Sequence, residues 1–445
     1  MIDLTQGKEG KQILLFALPM LLGNVFQQLY NIVDSAVIGR VVGVEALGAV
    51  GASFPLIFVL ISMIIGLASG STIIISQYFG AKEIENVKKT IETMFIYLFF
   101  ASIAVSIIGI SLSGPIFSML DVPPEVLPQA KMYFNIYIGG IVLLFGFNGT
   151  AAILRGLGDS KTPLYFMIIA TVMNIGLDLL FIMVFKWGVM GAAVATLISQ
   201  GGAFISSIIY LNRTHDIFQI TLSKLRFDRE IFKKSMRIGL PSGLQQTFVA
   251  LGMLALIKIV NIFGTTTLAA YTVAGRIDMF AALPAMNFAA ALSAFVGQNI
   301  GANKIERVRN GYRATLLMSS GISIAVTIFV VFFGNYLMGL FSTDAEVVRI
   351  GHEYLIIVSS FYVLFSFMFM TNAVLRGAGD TIAPMIITLL ALWVIRVPAS
   401  YLLSLKFGET GIWWGIPAAW AFGALFSYIY YKTGKWKTKG VVKHG

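Results

Sequence analysis

The chain repeats itself at an offset of 221 residues. Leu154-Arg155-Gly156-Leu157-Gly158-Asp159 returns as Leu375-Arg376-Gly377-Ala378-Gly379-Asp380, and Pro163 returns as Pro384. Gln77, Gly80 and Ala81 return as Gln298, Gly301 and Ala302, and Glu125-Val126 as Glu346-Val347. The register slips by one residue only at the start, where Leu18-Pro19 pairs with Leu240-Pro241. Chance does not hold one offset over so many separated segments. Any fold for this chain must therefore contain two halves of like architecture.

The medium for that fold follows from composition. Hydrophobic residues make up 57% of the chain and charged residues 12%, against roughly 25% charged in a soluble domain. Apolar runs of about 20 residues, enough to cross the bilayer hydrocarbon, recur along the whole length. They predict helices near 13–38, 47–76, 93–114, 131–153, 163–185, 189–211, 238–263, 268–297, 313–340, 350–375, 384–405 and 411–431. The first run is too long for a cleavable signal and lacks a small-residue cleavage pattern. The expectation is an all-α polytopic membrane protein with twelve transmembrane helices in two pseudo-symmetric six-helix bundles. Six is even, so both halves enter from the same side. The repeat is then a parallel one, with its axis along the membrane normal. Related halves in a membrane protein point to a transporter with its substrate path between them. The divisions expected are an N-terminal lobe over 1–211, a basic linker over 212–237, a C-terminal lobe over 238–431 and a tail over 432–445.

Charge orients the chain. Of the 32 Lys and Arg, only Arg40, Lys131, Lys186, Arg349 and Lys406 fall on the odd-numbered connections, and Lys258, Arg276 and Arg396 fall within spans. The rest lie on the N-terminus, the even-numbered connections and the tail, densest over Lys224–Arg237 and Lys432–Lys443. By the positive-inside rule both termini are cytoplasmic. The net charge of +11 then reads as topology, not as nucleic-acid binding, with contact to anionic lipid as a second use of the linker. There is no Cys, and the three His (His215, His352, His444) lie in or near connections. That leaves no thiolate or His constellation within the spans for an intramembrane enzyme or a resident metal. No cofactor is expected.

Ionisable residues within spans are costly and mark function. The first half has two, Asp34 and Asp178, and no basic residue in its spans. At a rise of about 1.5 Å per residue, Asp34, Asp178 and Thr196 fall at similar depth in the outer half of the bilayer. Asn174 stands one turn from Asp178 on the same helical face. Tyr30 and Asn31 stand four and three residues before Asp34. Tyr133 and Tyr137 reach a similar depth from the fourth helix, and Asn148 lies much deeper. Two carboxylates without a cation cannot both stay charged cheaply, so the pair should bind a proton as a coupled unit. The same oxygens also suit Na⁺, a hard cation. The alternative is that these polar groups only glue helices together. In the second half, position 34 becomes Leu256 and position 178 becomes about Ala399. Its span charges are Lys258, Arg276, Asp278 and Arg396, and a structural ion pair is expected at Asp278. Pro19 removes a helical hydrogen bond and predicts a bend in the first helix. The paired Arg-Gly-x-Gly-Asp segments predict helix C-termini and tight turns, with Arg and Asp latching that end of each half.

Taken together, Leu18-Pro19, Tyr30-Asn31-x-x-Asp34, Gln77-x-x-Gly80-Ala81, Leu154-Arg155-Gly156-x-Gly158-Asp159 with Pro163, and Asn174-x-x-x-Asp178 resemble the multidrug and toxic compound extrusion (MATE) family across all twelve spans. The chain looks most like the DinF-type branch. The resemblance implies a V-shaped pair of six-helix bundles that alternate in access. It implies a cation site at Asp34, Asp178, Asn174 and Thr196, and a bend of helix 1 at Pro19. It also implies export of amphipathic, mostly cationic drugs by a monomer in the plasma membrane. Where the NorM-type branch has carboxylates in helices 7 and 10, this chain has none in helix 7 and only Glu353 at the outer edge of helix 10. That departure favours protons over Na⁺ as the coupling ion. A flippase for a lipid-linked intermediate is the rival expectation. It would need a cationic cavity, which only Lys258, Arg276 and Arg396 could supply.

Overall fold

The computed structural model describes residues 3–119, 122–214 and 225–442, and among them there is helix and connection but no strand. The first half comprises α1 (Glu9–Val37), α2 (Val44–Gly80), α3 (Ile84–Met119), α4 (Leu127–Gly139), α5 (Ile141–Gly156), α6 (Lys161–Asp178) and α7 (Gly188–Thr214). The second comprises α8 (Arg229–Asn261), α9 (Thr265–Gly301), α10 (Ile305–Gly339), α11 (Ala345–Ser359), α12 (Tyr362–Gly377), α13 (Ile382–Leu389), α14 (Val397–Phe407) and α15 (Glu409–Lys432). Among the described residues three π-helical segments, Ile38–Val42, Leu179–Val184 and Leu390–Arg396, continue α1, α6 and α13. Among the same residues ten helices are long and apolar enough to cross a membrane, and the count is twelve when each of two bent pairs is one span.

Those bent pairs fall on the spans expected near 131–153 and 350–375. α4 and α5 meet at 50°, and α11 and α12 at 49°. The break at Gly140 is filled from the side by Leu197, which would collide with any side chain there. At the second break the Ser360 hydroxyl donates to the Ile356 carbonyl at 2.7 Å, a back-bond that bends helices. Positions 140 and 361 are 221 apart, so the bends belong to the repeat.

The repeat also fixes the backbone elsewhere. α2 and α9 are both 37 residues long, and α5 and α12 both 16. After α5 and α12, Gly158 and Gly379 take φ of +83° and +93°, a conformation open to glycine. Asp159 N then donates to Leu154 O at 2.8 Å and Asp380 N to Leu375 O at 2.9 Å, which closes each helix end in the Schellman manner. The Arg–Asp latch expected within these segments is not formed among the described residues. Asp159 instead accepts from the Lys161 and Thr162 amides, both at 3.0 Å, at the start of α6. Asp380 accepts from the Tyr430 hydroxyl at 2.6 Å.

The chain packs as two compact units, Leu18–Gly243 and Asp3–Ala17 with Leu244–Gly445. The unit boundaries fall inside α1 and α8, close to Pro19 and Pro241. α1 itself continues through Pro19 from Glu9 to Val37. In the second unit the segment before α1 is held by Arg307, which donates to Gly7 O at 2.8 Å and Gln6 O at 3.1 Å. Leu4 is fully buried there. Residues 215–224 of the expected basic linker, with His215 and Lys224, lie outside the described residues, as does the tail from 443.

Close helix packing at symmetry-related glycines gives a direct test. A Cβ on Gly156 would sit 2.9 Å from Ile75 Cγ2 and 3.0 Å from the Thr72 carbonyl oxygen. On Gly377 it would run into the Ser293 carbonyl oxygen and lie 2.8 Å from Val296 Cβ. Gly377→Val should destabilise by about 1–3 kcal/mol through overpacking, and Gly156→Val by less. Thermal unfolding of the purified protein in detergent would show both as lowered Tm, with Gly377→Val lower.

Candidate ion-coupling site

The first unit gathers most of the residues expected to act together. α1 brings Tyr30 and Asp34, one turn apart on one face. α6 brings Asn174 and Asp178, also one turn apart, and α7 brings Thr196. All are buried: Asp178 is 0% exposed, Asn174 and Thr196 2%, Asp34 6%. Tyr30 and Thr196 share a hydroxyl–hydroxyl hydrogen bond of 2.9 Å, which ties α1 to α7. Thr196 also returns a bond to Ala192 O at 3.1 Å.

Asp34 and Asp178 lie within electrostatic reach of each other, and Asp34 lies within reach of Tyr30, Tyr133 and Tyr137. The Tyr133 and Tyr137 rings stack at 6.0 Å between centroids, walling one side with phenols. Asp34 Oδ1, both Asp178 oxygens and both Asn174 side-chain atoms have no protein partner. Buried polar groups are almost always hydrogen-bonded, and these atoms together form an acceptor-rich centre within the first unit.

Two expected members stand apart. The Asn148 amide is used locally, donating to Leu144 O at 2.9 Å. Asn31 is half-buried on α1. Three residues not singled out from the sequence belong to the site. Thr171, Ser199 and Gln200 line a narrow cleft with Tyr30, Asn174 and Thr196. A readable signal existed: Thr171 is one turn from Asn174, and Gln200 one turn from Thr196, on the faces already chosen. Single Thr and Gln residues in apolar helices are too common to draw notice alone.

The second unit holds a different centre. Asp278 on α9 accepts from the Tyr362 hydroxyl at 2.6 Å and the Tyr354 hydroxyl at 3.3 Å. The expected ion pair is not formed; among the described residues no cation comes within 4.0 Å of Asp278. Two phenol donors, one of them short, satisfy the carboxylate without desolvating a second charge. Arg396 is close enough to act on Asp278 electrostatically, while Lys258 and Arg276 are exposed. Glu353, midway along α11, is taken up by Arg349 at 3.4 Å and by the Thr410 hydroxyl.

Fold and site together define a duplicated multi-pass membrane protein with a buried acidic centre in one half. The chain belongs to the MatE family, whose model matches residues 19–180 and 241–402. It is 33% identical to the probable multidrug resistance protein YpnP of Bacillus subtilis (strain 168), over 98% of this chain and 97% of that protein. It is 34% identical to the probable multidrug resistance protein YoeA of the same strain, over 96% and 94%. Among solved structures it resembles a MATE protein in complex with MaL6. It equally resembles the outward-facing conformation of a multidrug resistance MATE family transporter of the MOP superfamily. Both matches have 27% identity, a TM-score of 0.91 and 97% coverage of each chain.

The phenol-bound carboxylate of the second unit can be tested alone. Tyr362→Phe removes the shorter donor to Asp278 and should cost about 1–3 kcal/mol. Tyr354→Phe, which loses the longer bond, should cost less. Tyr362→Phe and Asp278→Asn should combine less than additively, because both break one contact. Melting temperatures of the two single variants and the double variant measure this.

Proposed function

We propose that the chain is a secondary active multidrug exporter in the plasma membrane, working as a monomer by antiport of amphipathic, mostly cationic compounds against protons. The supporting observation is the pair of buried carboxylates, Asp34 and Asp178, whose oxygens lack protein partners in a half with no basic residue in its spans. Such a pair holds either a proton or a positively charged ligand, because desolvation and mutual repulsion oppose leaving both acids bare. A proton and a cationic drug then compete for the same charge. A ligand bound equally well by both states shifts nothing, so this competition is what couples the two fluxes. The proton arrives from outside as the drug leaves. Bound at Asp34, it acts on α1, which also carries Tyr30 and its bond to Thr196. The relatives whose names describe multidrug resistance or export support the substrate class. Both termini are read as cytoplasmic from the charge distribution. No catalytic step and no cofactor enter this reading.

Ethidium efflux from proteoliposomes under separately imposed proton and Na⁺ gradients tests it. Proton-driven efflux should fall by at least about a hundredfold in Asp34→Asn, which is roughly 3 kcal/mol of lost coupling. Efflux driven by Na⁺ alone would keep the exporter and replace the ion. No efflux under either gradient would favour the flippase, and flipping of a lipid-linked intermediate would then be the assay.

A further inference from the structure

Where α15 ends, the second unit gathers cations around a stack of aromatic rings. Tyr428 and Tyr431 stack at 6.3 Å between centroids, and Trp436 stacks on Tyr431 at 5.4 Å and 9°. Lys432 Nζ lies 5.2 Å from the Tyr428 centroid, and Lys437 Nζ 5.9 Å from that of Trp436. Arg309 and Arg313 stand one turn apart near the start of α10. Both are within electrostatic reach of Tyr431, as is Lys432. Tyr312, on the same turn, sets its ring 5.0 Å from that of Tyr431. Among the described residues none of these four cations has a carboxylate within 4.0 Å.

A bias of positive charge to one side of a membrane does not require this layout. Such charge acts from anywhere near the end of a span, and like charges one turn apart repel. Yet the fold orders the chain after α15 so as to bring these cations together. Gly434 turns at φ +72°, Trp436 is only 1% exposed, and its indole donates to Tyr431 O at 2.9 Å. The turn holds Lys437 against the stack. In the first unit the position that answers to Arg313 is Glu92, which accepts from the Arg226 amide at 3.0 Å. The repeat therefore does not impose the cluster.

Two apolar tracks run from the cations toward the bilayer centre. On α10, Leu317, Ile324 and Ile328 follow Arg309 and Arg313 on one helical face, and they are 75%, 51% and 53% exposed. On α15, Leu425 and Ile429 share the face of Lys432 and are also exposed. From this arrangement we infer that Arg309, Arg313, Lys432 and Lys437 bind the phosphate headgroup of an anionic diacyl phospholipid from the leaflet at that end of α15. Guanidinium forks and lysine ammonium groups both suit a phosphate, and cations clustered just outside a span attract anionic headgroups. The tracks select a lipid over a soluble phosphate. They leave apolar surface at the depth of acyl chains, directly in line with the headgroup seat.

Native mass spectrometry of the purified full-length protein in detergent tests the site. The probes are phosphatidylglycerol and phosphatidylcholine with the same acyl chains. Detergent micelles remove membrane topology from the comparison. Wild type should retain one phosphatidylglycerol at least about tenfold more tightly than phosphatidylcholine. Arg313→Gln and Lys432→Gln should each weaken phosphatidylglycerol about fivefold and leave phosphatidylcholine unchanged. Lys88→Gln removes one exposed charge at the first-unit position that answers to Arg309, and it should bind phosphatidylglycerol as wild type does. Equal retention of the two lipids by wild type overturns the site. So does a loss in Lys88→Gln that matches the loss in Arg313→Gln, because net charge alone would then explain both. Displacement of phosphatidylglycerol by an equal concentration of glycerol phosphate overturns the lipid and leaves a soluble phosphate as the ligand.

Discussion

Two carboxylates sealed inside a lipid-embedded helix bundle, with no fixed cation to answer them, set the terms for the first half of this protein. A bare charge in low dielectric costs several kcal/mol even after relaxation, and Asp34 and Asp178 are both buried. Among the described residues the bundle around them offers phenols and hydroxyls but no salt-bridge partner. A state with both acids charged and unligated is therefore the unfavourable one. Whatever binds there, proton or cation, is stabilised by the whole cost it relieves. The helices supply rigidity for this: the hydrogen bond between Tyr30 and Thr196 joins the helix of Asp34 to a neighbour of the helix of Asp178.

The broad plan was legible because its signals are long and redundant. A single offset of 221 residues predicted two like halves, and it recurs in the equal lengths of α2 and α9 and in the paired bends near Gly140 and Phe361. The carboxylates were legible because charge inside a span is rare. The bends themselves were not. Hydropathy averages over a window and sees no break at one Gly or one Ser–Phe step. Asp278 was misread for a related reason. Counting charges suggests an ion pair, whereas a phenol is invisible to charge counting and makes a short bond to a carboxylate at 2.6 Å. Thr171 and Gln200 were missed because a lone hydroxyl or amide in a helix is ordinary until its back-bond is seen to be lacking.

Departures from the repeat are concentrated where the chemistry is. Among the described residues, π-helical segments occur in three places: just after Asp34, directly after Asp178, and ending at Arg396. Each adjoins an ionisable residue within a span. A π-turn widens the helix and misaligns its hydrogen bonds, so it survives mainly where function or local packing requires it. The matching helix in the other half runs differently each time. α1 passes into a π-segment over Ile38–Val42 where α8 simply ends at Asn261, and the π-segment of the eleventh span lies earlier in the repeat than that of the fifth. Duplication supplied the scaffold, and the halves then diverged on the spans that carry charge.

One residue pair shows how far that divergence went. Tyr133 and Tyr354 occupy the same position in the repeat, both are buried, and each lies within electrostatic reach of a carboxylate of its own half. The partners differ. Tyr133 is within electrostatic reach of Asp34, and Asp34 keeps an oxygen without a protein partner. Tyr354 donates to Asp278 on α9, and Tyr362 supplies a second, shorter bond. With its hydrogen-bond needs met from within, Asp278 gains little from a further ligand, and Arg396 nearby offsets its charge. Asp34 and Asp178 have neither relief. Two halves of one fold thus set the same tyrosine within electrostatic reach of an acid. Among the described residues, only in the first half do both acids keep oxygens without a protein partner.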